Sequence, residues 1–233
     1  MVADKINANK IYTEDDLYNE YLEKALSPSE VDFKWYLHGR IKNGEFVRVG
    51  KKKYMVSRNK YVYSYNSDEA IRIDDMLRQN FQDLDIVIWE STMLNEWMNL
   101  QITQNIIFVE TERVFMEFVF DKINEEIEGV HCLLNPSRDE LYRYAKDNMV
   151  VVKPMVSKCP KKAKSRNITF EKLIVDLYTD KLISKLFDRA AIDDTVSEIL
   201  KTQVVDRDKM LTYAKRKKKE ETLISVLERI NDR

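Results

Sequence analysis

Four glycines in 233 residues, at positions 39, 44, 50 and 129, leave no place after residue 50 for a phosphate-binding loop or a G-x-G-x-x-G turn. Both motifs need closely spaced residues without a Cβ where the backbone meets phosphate. Histidine and cysteine are scarcer still, two of each. His38, His131, Cys132 and Cys159 form neither a C-x-x-C pair nor an H-E-x-x-H, so the common zinc arrangements are excluded and little remains for a Ser/His or Cys/His nucleophile. Cys132 lies inside the apolar run Val130-His131-Cys132-Leu133-Leu134 and reads as a buried small hydrophobe. No apolar stretch reaches the ~18 residues of a membrane span. Met1-Val2-Ala3-Asp4-Lys5 has no signal-peptide core. The expectation is a cytoplasmic, reduced protein with no membrane partner, no cofactor and no metal site.

Charge of one sign is also lacking, for the net charge is −1. The chain is therefore not a polycation that coats nucleic acid, and any affinity for DNA must come from how its charges are arranged. They are arranged unevenly. Residues 34–60 hold nine basic side chains against the single acid Glu45, whereas residues 1–30 hold seven acids against three lysines.

That basic stretch falls within a recognisable local pattern at roughly residues 11–57. Thr13-Glu14-Asp15-Asp16 is a helix start, a capping hydroxyl followed by carboxylates that favour the positive helix end. Leu17, Tyr18, Tyr21, Leu22 and Ala25 follow at helical spacing. Ser27-Pro28-Ser29-Glu30 predicts a second start, with Ser27 as cap, Pro28 in the first turn and Glu30 closing a capping box. In that helix Phe33, Leu37 and Ile41, with Tyr36, line one side. Lys34, His38 and Lys42 line another, and Trp35 fits either the core or that basic face. Asn43-Gly44 ends the helix. Phe46–Val49 and Lys53–Val56 then flank a turn at residues 50–52 and read as a hairpin.

Helix, capped helix and basic hairpin are the order of a winged helix-turn-helix, in which the second helix enters the major groove and the hairpin follows the phosphates. The DNA-binding residues predicted on this basis are Lys34, Trp35, His38, Arg40, Lys42, Arg48, Lys51, Lys52 and Lys53. The plainer alternative is a winged domain that makes protein contacts, its lysines merely solvated.

Residues 61–67 read as a joint, dividing a DNA-binding domain at 1–60 from a second domain at 68–233. Four apolar runs recur there between helical segments: Ile86–Trp89, Ile106–Val109, Val130–Leu134 and Met149–Val152. Short, nearly continuous apolar strands alternating with helices predict a mixed, partly parallel sheet covered by helices. Helices fill the remainder, at about 169–188, 193–203, 207–217 and 219–231. The fold class is α+β, a winged helix followed by an α/β domain with a C-terminal helical subdomain.

One enzymatic reading has footing, a metal-dependent nuclease, because Asp83, Asp85, Glu90, Glu110 and Glu112 flank the first two strands. Glu110-Thr111-Glu112-Arg113 lacks the acid-x-Lys spacing of such sites, and acids at strand ends commonly cap the next helix. No catalytic residue is assigned. Lys158, Lys161, Lys162, Lys164 and Arg166 fall in a loop-like segment. Lys215–Lys219 runs into Glu220-Glu221, which partly neutralises it.

With these segments in place the chain resembles the AbiEi-type antitoxins, predicted transcriptional regulators of viral defence. The N-terminal match is Tyr12–Leu17, Trp35-Tyr36-Leu37, Lys42-Asn43-Gly44 and Val47–Tyr54. The C-terminal match is Asn167–Leu177 and, more loosely, Val205-Asp206 through Leu211, Tyr213 and Ala214. Where relatives often carry a second glycine in the wing turn, Lys52 or Lys53 stands here. The resemblance implies a non-enzymatic antitoxin of a type IV pair that represses its operon at inverted repeats in double-stranded DNA. It further implies action against a nucleotidyltransferase-like toxin without necessarily a stable complex. Thr169, Glu171, Lys172 and Asp176 recur in the family motif and are expected to be structural first. The alternative is a stand-alone DNA-binding regulator whose C-terminal domain senses a ligand or partner.

Overall fold

The computed structural model describes residues 11–23, 29–42, 45–56, 64–144, 148–161 and 165–231. Two sheets form among them. The first belongs to the N-terminal segment: β1 (Ile11–Thr13), α1 (Glu14–Leu22), α2 (Glu30–Lys42), β2 (Phe46–Gly50) and β3 (Lys53–Val56). Its order is β1-β3-β2, antiparallel throughout. Thr13 starts α1 as expected, its hydroxyl accepting the Asp16 N–H at 3.1 Å while the Asp16 carboxylate accepts the Thr13 N–H at 2.7 Å. The cap of α2 is Ser29 rather than Ser27, because the Ser29 hydroxyl accepts the Asp32 N–H at 3.1 Å. Glu30 is then the first helical residue, and the expected roles of Ser27 and Pro28 lie outside the described residues. Tyr12, Leu17, Phe33, Leu37, Phe46 and Tyr54 form a small core. In the hairpin turn Lys52 takes the left-handed conformation, φ 55°, that a glycine would adopt more easily. A side chain held there stores strain on the order of 1–3 kcal/mol.

The second sheet has the order β4-β5-β7-β6, from β4 (Ile86–Glu90), β5 (Ile106–Thr111), β6 (His131–Leu134) and β7 (Met149–Pro154). β4 pairs antiparallel with β5, whereas β5, β7 and β6 run parallel. The expected mixed, partly parallel sheet is therefore present. Its strands read as continuous apolar runs because both faces are covered. On one face lie α3 (Asp68–Asn80) and α4 (Met116–Glu126), burying Ile73, Leu77, Val119 and Ile123 against Ile88, Val109 and Val150. α5 (Arg138–Arg143) follows β6. On the other face lie α6 (Phe170–Thr179), α7 (Arg189–Thr202), α8 (Arg207–Arg216) and α9 (Glu220–Asn231). There Leu173, Leu177, Val196 and Met210 pack with Trp89 and Phe108, whose rings stack with centroids 4.4 Å apart. Each such fully buried apolar side chain contributes roughly 1.5–3 kcal/mol.

The single helix expected at 169–188 is broken at Asp180. Its Oδ1 accepts the N–H groups of Leu182 and Ile183, at 2.9 and 3.0 Å, and starts a short 3-10 turn. α7 begins at Arg189, earlier than position 193, because Asp188 caps it through the N–H groups of Ala190 and Ala191. Strand β4 has its free edge covered: the Ile88 N–H donates to the Arg166 carbonyl at 2.7 Å, and the Arg166 guanidinium donates to the Phe81 carbonyl at 2.6 Å. This bridge occupies the middle of the edge and hinders its pairing with another chain.

Among the described residues, hydrogen bonds at two places tie the joint and the hairpin to this body. The buried Glu90 carboxylate accepts the N–H groups of Asn66 and Ser67, at 2.6 and 3.2 Å, and so holds the end of the joint to β4. The hairpin meets α8, where the Lys51 N–H donates to the Asp208 carboxylate at 2.5 Å. Gly50 permits this approach, since even a Cβ there would lie 3.3 Å from the same oxygen. Asp208→Ala should therefore speed hydrogen exchange at the Lys51 amide. An amide that exchanges at the wild-type rate in this variant would mean the hairpin does not dock through Asp208.

Candidate nucleic-acid interface and the charged core beneath it

The period of α2 separates its faces. Phe33 and Leu37 are buried, and Lys34, Trp35 and His38 are exposed. Trp35 is 72% exposed, so it does not fill the core, and its ring stands edge-on to His38 with centroids 6.5 Å apart. The side chain of Lys42 lies outside the described residues. Arg40 is committed internally: it donates to the Tyr36 hydroxyl at 2.7 Å, pairs with Glu45 at 2.8 Å and covers the Phe46 ring. It fastens α2 to β2 and does not join the exposed basic face.

The hairpin cations divide as well. Lys52 approaches Glu14 at 3.8 Å on the surface, and Lys53 is exposed at the start of β3. Arg48, whose Nε donates to the Gly50 carbonyl at 3.0 Å, lines a cleft of about 720 Å³ against the helical body, and Lys51 lines it too.

The C-terminal motif residues do different work. Thr169 caps α6, accepting the Lys172 N–H at 3.3 Å. Glu171 accepts the Asp206 N–H at 2.9 Å, and Asp206 in turn caps α8 through the Lys209 N–H at 3.1 Å. Lys172 is fully buried, its ammonium donating to Glu110 of β5 at 2.7 Å and to Asp176 one turn on at 2.5 Å. Trp89 donates its indole N–H to Glu110 at 3.2 Å. Asp176 also accepts from Lys217 at 2.5 Å and from the Tyr213 hydroxyl at 3.1 Å. Beside them Lys153 of β7 pairs with Asp180. Three ammonium groups and three carboxylates thus balance, with Lys172, Glu110 and Asp176 buried and Lys217 and Asp180 at the edge of the cluster.

Burial would lower the Lys172 pKa, but the adjacent Asp176 and Glu110 carboxylates outweigh it and hold the ammonium well above its usual range. Burial would raise Asp176, yet Lys172, Lys217 and Lys153 together hold its carboxyl below the usual carboxylate range. Asp180, buried next to Lys153, is lowered for the same reason. Lys172, Glu110 and Asp176 are enclosed and cannot meet a substrate, and they join β5, α6 and α8. The Lys172–Asp176 spacing on an otherwise apolar helix was the visible sign of a buried pair. The contributions of Lys217 and Lys153 had no such sign.

The acids of the nuclease reading disperse. Asp83 and Glu112 are exposed, Asp85 pairs with Lys161, Glu90 holds the joint and Glu110 neutralises Lys172. Among the described residues no three His, Cys, Asp or Glu side chains converge to hold a metal, and no helix is long and apolar enough to cross a membrane.

Residues 32–233 match the model of a family described as a family of unknown function, DUF6577. The chain belongs to that family, and the match takes in the hairpin, the mixed sheet and the C-terminal helices alike. Among curated proteins none matches the chain.

Removing one partner of the charged core should be severe. Lys172→Met leaves the buried Glu110 carboxylate without a cation and takes from Asp176 one of its two ammonium partners, and is expected to cost about 3–5 kcal/mol in urea unfolding. Replacing Glu110 and Lys172 together by apolar residues, which leaves Asp176 paired with Lys217, should cost less than that single change. The pH dependence follows from the signs. The depressed carboxyls of Asp176 and Asp180 contribute stability that is full above their unfolded pKa, roughly 3.9, and lost as pH falls through their folded values. The raised Lys172 contributes stability that is full below its unfolded pKa, roughly 10.4, and lost as pH rises through its folded value. A single mutant as stable as the wild type would disprove the coupling.

Proposed function

We propose that this chain is a cytoplasmic DNA-binding transcriptional regulator, acting as the antitoxin of a type IV pair associated with abortive infection. It represses its operon at an inverted-repeat operator and counteracts a nucleotidyltransferase-like toxin without a stable complex. The observation that carries the DNA reading is the exposed face of α2, where Lys34, Trp35 and His38 stand free of the core beside a basic hairpin. The order strand, helix, helix, hairpin supports the same reading, with α2 entering the major groove. The antitoxin part is supported by the resemblance at Tyr12–Leu17 and Asn167–Leu177.

Within this reading the α2 side chains read bases and the hairpin supplies affinity. Arg48 and Lys51 line the cleft against the body, so Lys52 and Lys53 are the hairpin residues assigned to phosphates. Each phosphate contact contributes roughly 0.9 to the slope of log affinity against log salt, so changing both to alanine should flatten the slope by up to about 1.8. Operator and random duplexes should weaken alike. Lys34→Ala or His38→Ala should instead weaken operator binding selectively, by on the order of 1–3 kcal/mol. Both should leave the rescue of toxin-arrested cells intact, because the body carries that effect. Equal losses on operator and random DNA from the α2 variants would refute base reading by this helix.

A further inference from the structure

We propose that the cleft between the hairpin and the helical body is a binding site for a small phosphorylated molecule. At about 720 Å³ it has the volume of a small-ligand site. Met93, Ile168 and Phe170 give it an apolar floor. Its rim carries Arg48 and Lys51 from the hairpin, Lys158 from the loop after β7, and Arg216 from the end of α8.

Charge accounting around the rim selects an anion. The acids that line the cleft are already engaged with backbone N–H groups: Glu171 with Asp206, Asp206 with Lys209, and Asp208 with Lys51. Among the described residues the side chains of Arg48, Lys51, Lys158 and Arg216 have no carboxylate partner. The six cations of the cleft lining outnumber its three carboxylates, and with Lys161 taken by Asp85 an excess of two remains, which suits a phosphate or diphosphate that a guanidinium grips bidentately. Lys158 adds a second indication. It holds a left-handed backbone, φ 54°, where glycine or asparagine would be less strained. The loop around it is fixed by the burial of Cys159 and by the Thr169 hydroxyl donating to the Pro160 carbonyl at 3.3 Å.

The site rests on the cleft alone and does not require the hairpin to touch DNA. The test is isothermal titration calorimetry of the full chain at constant ionic strength, without DNA, using pyrophosphate and then ADP as probes. At least one probe should bind at one saturable site per chain. Binding should weaken on the order of tenfold in the Lys158→Gln/Arg216→Gln double variant, the effect of losing charge-assisted hydrogen bonds. Lys181→Gln, an exposed lysine outside the cleft, should leave it unchanged. No saturable binding of either probe, or equal binding by the double variant, would overturn the proposal. In a separate titration with duplex DNA, binding lost in the double variant while neither small probe binds the wild type would overturn it in favour of a nucleic-acid track.

Discussion

An ammonium group without water is tolerated only where carboxylates surround it, and Lys172 lies between two of them. Its bond to Glu110 reaches the sheet, and its bond to Asp176 reaches a carboxylate that also takes Lys217 and Tyr213 from α8. The position of α8 therefore depends on a charge balance set in the middle of the molecule. Apolar packing alone would allow α6 and α8 to slide along the sheet. A cluster in which each charge has a fixed partner makes one arrangement much better than its neighbours.

What α8 carries on its outer side then matters for function. Asp208 accepts the N–H of the hairpin turn, and Asp206 opens the helix under the hold of Glu171. Through Glu171 at the cleft wall, the motif of α6 thus reaches the hairpin by ordinary hydrogen bonds to the start of α8. In the proposed regulator, the hairpin would not project as a free wing. It would be borne by the body, with two of its cations turned into the shared cleft and two left outward. An occupant of that cleft would bridge both parts.

Much of this was legible in the sequence. The four apolar runs placed the strands of the second sheet because strands covered on both faces need no polar alternation. The hairpin was legible from Phe46–Val49, Gly50 and the β-rich run that follows. The cap of α2 was less so: Ser27 and Ser29 both precede acids at plausible spacing, and only the hydrogen bond to Asp32 decides between them. The break at Asp180 was hidden because the apolar pattern continues past it, and a single carboxylate capturing two N–H groups ended the helix. Arg40 looked like its basic neighbours, but its partners Tyr36 and Glu45 are local and absorb it. The docking of the hairpin had no sequence signal, since its hydrogen bond joins residues 157 positions apart.

The central claim is that α8 transmits the order of the charged core to the hairpin. Amide hydrogen exchange on the Asp176→Asn variant, compared with the wild type, tests it most directly. Faster exchange is expected throughout α8 and at the Lys51 amide, with α3 and α4 on the opposite face of the sheet unchanged. Wild-type exchange in α8 and at Lys51, with loosening confined to α6, would contradict it.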